Sequence, residues 1–217
     1  MYSALIVAAG SGSRTELGYN KVFYEVHSKP IIQYSVERFL DDPEFSEIIL
    51  VYAKDELDKM RSVVTDQRVT FVEGGKSRQE SVYLGLQHVT NAVVFIHDGA
   101  RPNLKQTDLD LLKSRVYEAD ALTLAVQVVD TVKRVQDGKI VGDVPRNECY
   151  FIQTPQVFVT DAIKTAHETL HSSKLTFSDD TSLYLAYHHG NVLIVEGSHD
   201  NIKVTTKFDL LKLEELL

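Results

Sequence analysis

Leu5-Ile6-Val7-Ala8-Ala9-Gly10-Ser11-Gly12-Ser13-Arg14, followed by Lys21, is the stretch whose reading decides the fold. An apolar, partly β-branched run without charge has the composition of a strand buried on both faces, as in a parallel sheet. It stops in small residues whose backbone can approach a ligand closely. Successive amides around Gly10 to Ser13 can line one concavity, and Arg14 and Lys21 add the positive charge that a polyphosphate requires. The stretch is therefore read as a loop for a nucleotide triphosphate at the C-terminal end of a buried strand. Two other glycine loops do not fit. A Walker loop needs Gly-x-x-x-x-Gly-Lys-Ser/Thr, whereas Gly12 is followed by Gly18 after five residues and then by Tyr19. A dinucleotide loop needs a third glycine, where this chain has Thr15. A plain strand-to-loop turn would explain the glycines but not Arg14 and Lys21.

Working outward, Pro30 introduces a helix over 31–40 with Ile32, Val36 and Phe39-Leu40 on one face. Residues 47–52 read as a second strand, 55–64 as a helix and 69–72 as a third strand ending in Glu73-Gly74-Gly75-Lys76-Ser77-Arg78. A helix then runs to about residue 88, and 92–97 is a fourth apolar strand ending in Asp98-Gly99-Ala100-Arg101-Pro102. A helix over 105–118 and a strand over 121–126 follow. Alternation of strands and helices at this length implies an α/β fold, a doubly wound and mostly parallel sheet that binds ligands beyond its strand C-termini. Three loops thus converge on one crevice. The pattern changes at 131–135 and 140–144, which form a hairpin with Asp137-Gly138 as its turn signal. Both hairpin strands are expected to be half buried, against their own domain or a second subunit. Residues 151–158, holding Gln153-Thr154-Pro155-Gln156, return to the sheet, and a helix spans 159–170. Ser178-Asp179-Asp180 reads as an N-cap with first-turn acids. Strands are expected over 192–195 and 201–205, and a closing helix over 206–217. Lys203 lies among apolar neighbours, where a lysine needs an anion to meet it.

The net charge of −8 argues against a nucleic-acid-binding surface, so the basic loop residues suit a small anionic ligand. No apolar run approaches the ~18 residues of a membrane span, and Met1-Tyr2-Ser3 leads straight into the first strand, so a soluble, cytoplasmic protein without membrane contact is expected. Cys149 is the only cysteine, which excludes an intrachain disulfide and a cysteine-built zinc site. The eight histidines are expected to show no His-x-x-x-His or comparable ligand spacing and to build no metal site, with His188-His189 at an exposed helix end beside Gly190. One domain, 1–217, is expected, with an arm at about 130–150.

These motifs, in order, resemble one family. Ala8-Ala9-Gly10 to Arg14 with Lys21, Gly74-Gly75 to Arg78 and Ser81, His97-Asp98-Gly99-Ala100-Arg101-Pro102, Asp130-Thr131 with Lys133-Arg134, Gln153-Thr154-Pro155-Gln156, and Asn201-Ile202-Lys203-Val204-Thr205 are similar to the motifs of the 2-C-methyl-D-erythritol 4-phosphate cytidylyltransferases. The resemblance implies a nucleotidyltransferase-type (Rossmann-like, GT-A-like) fold, an arm that embraces the partner in a homodimer, CTP as cosubstrate and Mg2+ held mainly by the CTP phosphates. It implies that Ala8, Ala9, Gly10, Gly12, Gly75, Arg78 and Ser81 hold the cytidine, that Arg14 and Lys21 grip the triphosphate, and that Lys203 completes the charge around the α-phosphate. Asp98 would lie near the ribose and the reacting centre. Arg101, Thr131, Arg146 and Ser178 would hold the polyol phosphate, with Thr131 and Arg146 serving the other subunit's site.

Departures from the pattern are Asn20-Lys21-Val22 for the common Pro-Lys-Gln, Thr15 for a frequent methionine, and Ser178 for a frequent threonine; none removes a charge. Pro145-Arg146-Asn147-Glu148 is similar to the ribitol 5-phosphate cytidylyltransferases of wall teichoic acid synthesis. Those more often open Leu-Ala-Gly-Gly and carry Asp-Ala-Cys-Lys where this chain has Asp179-Asp180-Thr181-Ser182. Methylerythritol 4-phosphate is the acceptor the resemblance implies, with ribitol 5-phosphate as the alternative. A nucleotide-binding protein that has lost turnover is a third reading, opposed by the intact set of cations.

Overall fold

The structure, a computed structural model, describes residues 1–10, 15, 17–171, 173, 175–188 and 190–217. Arg14 and Gly12 therefore lie outside the described residues. The first strand, β1 (Tyr2–Val7), is buried along almost its whole length. A 3-10 turn at Lys21–Phe23 follows, then a two-residue-strand hairpin, β2 (Glu25–Val26) and β3 (Lys29–Pro30), turned by His27 and Ser28 at φ 50° and 63°. Helix α1 (Ile31–Leu40) starts directly after Pro30, whose ring presets φ for the helix entry and buries Ile32, Val36 and Phe39 as their spacing requires. The chain continues with β4 (Phe45–Tyr52), α2 (Leu57–Val63), β5 (Val69–Glu73), α3 (Arg78–Leu86), β6 (Val93–Asp98), α4 (Gln106–Arg115) and β7 (Ala121–Gln127). Helix α2 begins later than its apolar pattern suggests, because Asp55 sits at φ 66°, a left-handed conformation that no helix accommodates.

The arm is β8 (Lys133–Gln136) and β9 (Lys139–Asp143), followed by β10 (Tyr150–Val159), α5 (Thr160–His171), α6 (Asp180–Tyr187), β11 (Val192–Glu196) and α7 (Lys207–Leu216). Among the described residues seven strands form one sheet in the order β11-β7-β10-β6-β1-β4-β5. Strands β5, β4, β1 and β6 are mutually parallel, β11 runs parallel to β7, and β10 is antiparallel to both its neighbours. Alternate residues of β1 face opposite layers. Ala4 and Ile6 join the apolar cluster that includes Ile32 and Phe39 of α1 and Leu109 of α4, while Leu5 joins Val82 of α3, Ile163 of α5 and Tyr184 of α6. Each fully buried leucine or isoleucine contributes on the order of 2 kcal/mol, so β1 anchors both layers.

Three expectations are corrected. The 201–205 segment is not a strand: Val204 N–H donates to Ala100 O at 2.9 Å, but Thr205 N–H goes to the Asp209 carboxylate, so no ladder forms. The α6 cap is Asp179, not Ser178, since the Asp179 carboxylate accepts from Ser182 N–H at 3.0 Å. The arm strands are exposed rather than half buried, because β8 and β9 pair only with each other and leave Val135, Ile140 and Val141 in solvent.

Candidate active site

Strands β4 and β5 add to one side of β1, and the chain then returns to place β6 on the other. The loops leaving β1 and β6 therefore diverge and open a crevice at the C-terminal edge, the position at which open α/β sheets bind ligands. A cavity of about 430 Å³ occupies it, walled by Ala8, Ala9 and Gly10 after β1, Lys21, Gly75 to Arg78 and Ser81 after β5, and Asp98 and Lys203. The β1 and β5 loops touch. A Cβ on Gly74 would lie 2.4 Å from Ala9 Cβ and 3.2 Å from Tyr52 O, so glycine is required for this approach. Ser81, nearly fully buried, donates to Ser77 O at 2.8 Å and accepts from Gly75 N–H at 3.1 Å. Its single hydroxyl proton is thereby committed to shaping the loop, and one acceptor lone pair remains beside the backbone groups of the cavity wall.

Beside this cavity lies a second, of about 280 Å³, walled by Arg101, Thr154, Gln156, Ser178 and Ser182. Arg78, Asp98 and Lys203 line both. Asp98 ends β6 and is locked there: its N–H donates to Thr154 Oγ1 at 3.0 Å across the β6–β10 pairing. One carboxylate oxygen meets Arg78 Nε at 2.9 Å, and the other meets Lys203 Nζ at 2.7 Å and Arg101 Nε at 3.6 Å. Burial pushes the Asp98 pKa up, but Arg78, Lys203 and Arg101 outweigh it and hold the carboxyl well below its ordinary range. The anion that meets Lys203 is thus Asp98, and the lysine is about one-third exposed rather than enclosed by apolar neighbours. Val204, buried in a small cluster under α7, and its bond to Ala100 hold Lys203 in place.

Arg78 is held from its other side by Asp180. Its Nη1 reaches Asp180 Oδ2 at 2.8 Å, and the second Asp180 oxygen faces His167 Nε2 at 3.3 Å. Burial acts to lower the Arg78 pKa, yet Asp180 and Asp98 together raise it, so the guanidinium is permanently charged. Asp180 is the first-turn acid of α6 that the sequence suggests, and its 1% exposure and its contact with Arg78 also place it in the site's support. Arg101 sends Nη1 to Asn201 O at 2.7 Å, and burial lowers its pKa. His97, fully buried, contacts Thr154 Oγ1 and Arg101 O, each at 3.1 Å. Burial depresses its pKa to about 4, so it is a neutral structural ring at pH 7.

One spacing runs against the expectation for the histidines. His167-Glu168-Thr169-Leu170-His171 sets two histidines four apart on α5, the arrangement of a helical zinc motif. The structure sends them to different partners: His167 turns inward to Asp180, and His171 stacks on Tyr83 at 4.2 Å between ring centroids. Among the described residues no group of three or more His, Cys, Asp or Glu is arranged to hold a metal. Nor is any described helix long and apolar enough to cross a membrane.

The structure thus brings together Ala8, Ala9, Gly10, Lys21, Gly75, Arg78, Ser81, Asp98, Arg101, Ser178 and Lys203. Arg146 stands elsewhere, on the arm, with Nη1 bonded to Val129 O at 2.9 Å in a separate recess; Thr131 is exposed nearby. Neither lines the two adjoining cavities among the described residues. Asn20, Thr154, Gln156 and Asp180 are supporting residues that sequence reasoning left without a role.

A mostly parallel sheet with a glycine-bearing loop and cations gathered at its switch-point crevice defines an α/β transferase of the nucleotidyltransferase class. The family model for IspD, 2-C-methyl-D-erythritol 4-phosphate cytidylyltransferase, matches residues 2–217, and the chain belongs to that family. Its relatives include the enzyme of that name from Bacillus pumilus, 40% identical over 97% of this chain and 94% of the relative, and that from Clostridium novyi, 37% identical over 99% and 95%. Among solved structures, 4-diphosphocytidyl-2C-methyl-D-erythritol synthase from Anaerococcus prevotii superposes with a TM-score of 0.88 at 28% identity, covering 99% of this chain and 97% of that one. The 2-C-methyl-D-erythritol 4-phosphate cytidylyltransferase of Thermus thermophilus superposes at 0.82 with 27% identity, covering 100% and 98%.

Proposed function

We propose that this protein transfers the cytidylyl group of CTP to 2-C-methyl-D-erythritol 4-phosphate and releases pyrophosphate, in isoprenoid precursor synthesis. The observation that carries this reading is the wall shared by the two cavities, Arg78, Asp98 and Lys203, which is where two phosphorylated substrates would meet. The larger cavity takes CTP. Ala8, Ala9, Gly10, Gly75, Arg78 and Ser81 hold the cytidine, together with Gly12, and Lys21 with Arg14 serves the triphosphate. The smaller cavity takes the acceptor, with Arg101 and Ser178 on its phosphate and hydroxyls.

A phosphate oxygen of the acceptor attacks the α-phosphorus of CTP, and the bond from that phosphorus to the oxygen bridging to the β-phosphate breaks in line. A phosphate monoester is largely dianionic at pH 7, so the attacking oxygen needs no general base. This suits a site in which the nearby histidine, His97, has both ring nitrogens engaged and stays neutral. Catalysis then rests on positioning and on fixed cations aimed at charge moving toward the leaving group.

Magnesium is assigned to the nucleotide phosphates, where it neutralises charge when bound. The donor set fits that assignment. Asp98 is the carboxylate that lines both cavities among the described residues, and its two oxygens already face three cations, so it can assist a phosphate-held ion but cannot build a protein cage. The whole chain, 1–217, is read as one nucleotidyltransferase domain working in the cytoplasm. The exposed apolar residues of the arm, with Phe151 beside them, support a homodimer in which Thr131 and Arg146 reach the partner's acceptor site. Family membership favours methylerythritol phosphate over ribitol 5-phosphate. Phosphorus NMR of CTP, magnesium and methylerythritol 4-phosphate with the protein tests the reading: a new pyrophosphodiester and free pyrophosphate are expected, and unchanged substrates would overturn it.

A further inference from the structure

Lys21 lines the nucleotide cavity but stands well beyond the end of β1 in sequence, so sequence proximity does not fix its distance from the β1 terminus. A cross-link does. Asn20, 4% exposed, donates from Nδ2 to Ala8 O at 3.0 Å and to Glu56 Oε2 at 2.8 Å, while its Oδ1 accepts from Val22 N–H at 3.3 Å. Both amide hydrogens and the amide oxygen are therefore spent on protein. One side chain ties the point where the nucleotide loop leaves the sheet, the 3-10 turn that carries Lys21, and the residue preceding α2. The turn itself is closed by Phe23 N–H to Asn20 O at 3.1 Å and Tyr24 N–H to Lys21 O at 3.0 Å. Ala8, Asn20 and Lys21 all line the same cavity.

We infer that Asn20 is a positioning residue that holds Lys21 at a fixed distance from the C-terminal end of β1 at Ala8, an inference that rests on the assignment of Lys21 to the CTP triphosphate. With no donor left over, Asn20 offers nothing to a phosphate and acts through Lys21. Glu56 fixes the amide orientation, because a carboxylate accepts only from Nδ2 and so directs Oδ1 to Val22 N–H. An aspartate at this position would lose both donors and set its charge beside Glu56.

The test is a double-mutant cycle on the full chain, with Asn20→Ala, Lys21→Ala and the pair. Calorimetric CTP binding with magnesium and pyrophosphate release are both read, the latter with CTP and acceptor varied in turn. Asn20→Ala is expected to lower kcat/KM for CTP by about 10²-fold, the cost of a small misplacement, and to weaken CTP binding, with the acceptor KM little changed. In the Lys21→Ala background it should change either readout by no more than about twofold. Multiplied effects, an equal loss toward the acceptor, or unaltered CTP binding and turnover in Asn20→Ala would overturn the inference. Asn20→Ser, which can still cap the turn but not reach Ala8, carries the cycle where the alanine variant does not fold. A wild-type protein that binds CTP without turnover would refute the assigned reaction and leave the binding cycle readable; one that does not bind CTP would refute both.

Discussion

Replacing Lys203 by methionine keeps the methylene stem and removes only the charge, which makes Lys203→Met a clean perturbation of the shared wall. Its ammonium lies 2.7 Å from Asp98 Oδ2 with about one-third of the side chain in solvent. Solvent screening limits such a pair to about 0–1 kcal/mol of stability, and Asp98 keeps Arg78 at 2.9 Å, so no buried carboxylate is orphaned. A melting temperature lowered by no more than about 4 °C is expected for a chain of this size. Catalysis should respond quite differently. A unit charge about 4 Å from a developing phosphate charge is worth about 4 kcal/mol at an effective dielectric of about 20. Losing a single donor aimed at transition-state charge typically costs about 10²–10³ in kcat. Continuous pyrophosphate release, run beside a thermal melt, separates the two. A folded Lys203→Met variant with wild-type kcat would remove the lysine from the transition state and refute the reasoning.

Arg78→Ala leaves the buried Asp180 carboxylate facing only His167 and removes one of the three cations around Asp98, which keeps Lys203 and Arg101; it should cost about 3–5 kcal/mol in urea unfolding, with Arg78→Lys recovering part because it can reach only one of the two carboxylates, and an unchanged midpoint would contradict the bridge. His97 has a folded-state pKa of about 4 against an unfolded value near 6.5. The unfolded chain therefore binds the extra proton between those values. The His97 contribution is complete above pH 6.5 and falls by up to about 3 kcal/mol as pH drops toward 4. A urea midpoint that stays flat from pH 7 to 4.5 would show that His97 is not held neutral. Asp98 and Asp180, whose pKa values burial raises but Arg78 and their other partners lower further, begin to lose their contributions as pH falls into the ordinary carboxylate range, where the unfolded chain takes up protons first, and go on losing them below it. Mixed dimers of Arg14→Ala and Arg146→Ala subunits should regain activity if the arm serves the partner's site; verified heterodimers without recovery would make each site self-contained.

The sheet was legible in the sequence because its strands are short uncharged runs, such as 47–52 and 92–97, bounded by glycine or charged turns. The convergence of the loops after β1, β5 and β6 followed from alternation alone. What escaped were features set by tertiary contact. Asp180 follows a good capping residue, and only the fold brings Arg78 of α3 against it. Lys203 looked isolated because its counter-ion, Asp98, is remote in sequence and joined through the Val204–Ala100 bond. Residues 201–205 alternate like a strand, yet the Asp209 carboxylate takes Thr205 N–H and the Arg101 guanidinium takes Asn201 O, backbone groups that a ladder would use. The His167–His171 spacing is a signal that local reading could have found, and the structure answers it by giving the rings separate partners.

The central claim is that this site joins CTP to methylerythritol 4-phosphate. Pyrophosphate release with CTP and magnesium, measured side by side with methylerythritol 4-phosphate and ribitol 5-phosphate, tests it most directly. A clear preference in kcat/KM for methylerythritol 4-phosphate is the predicted result. Preference for ribitol 5-phosphate, or no release with either, would contradict it.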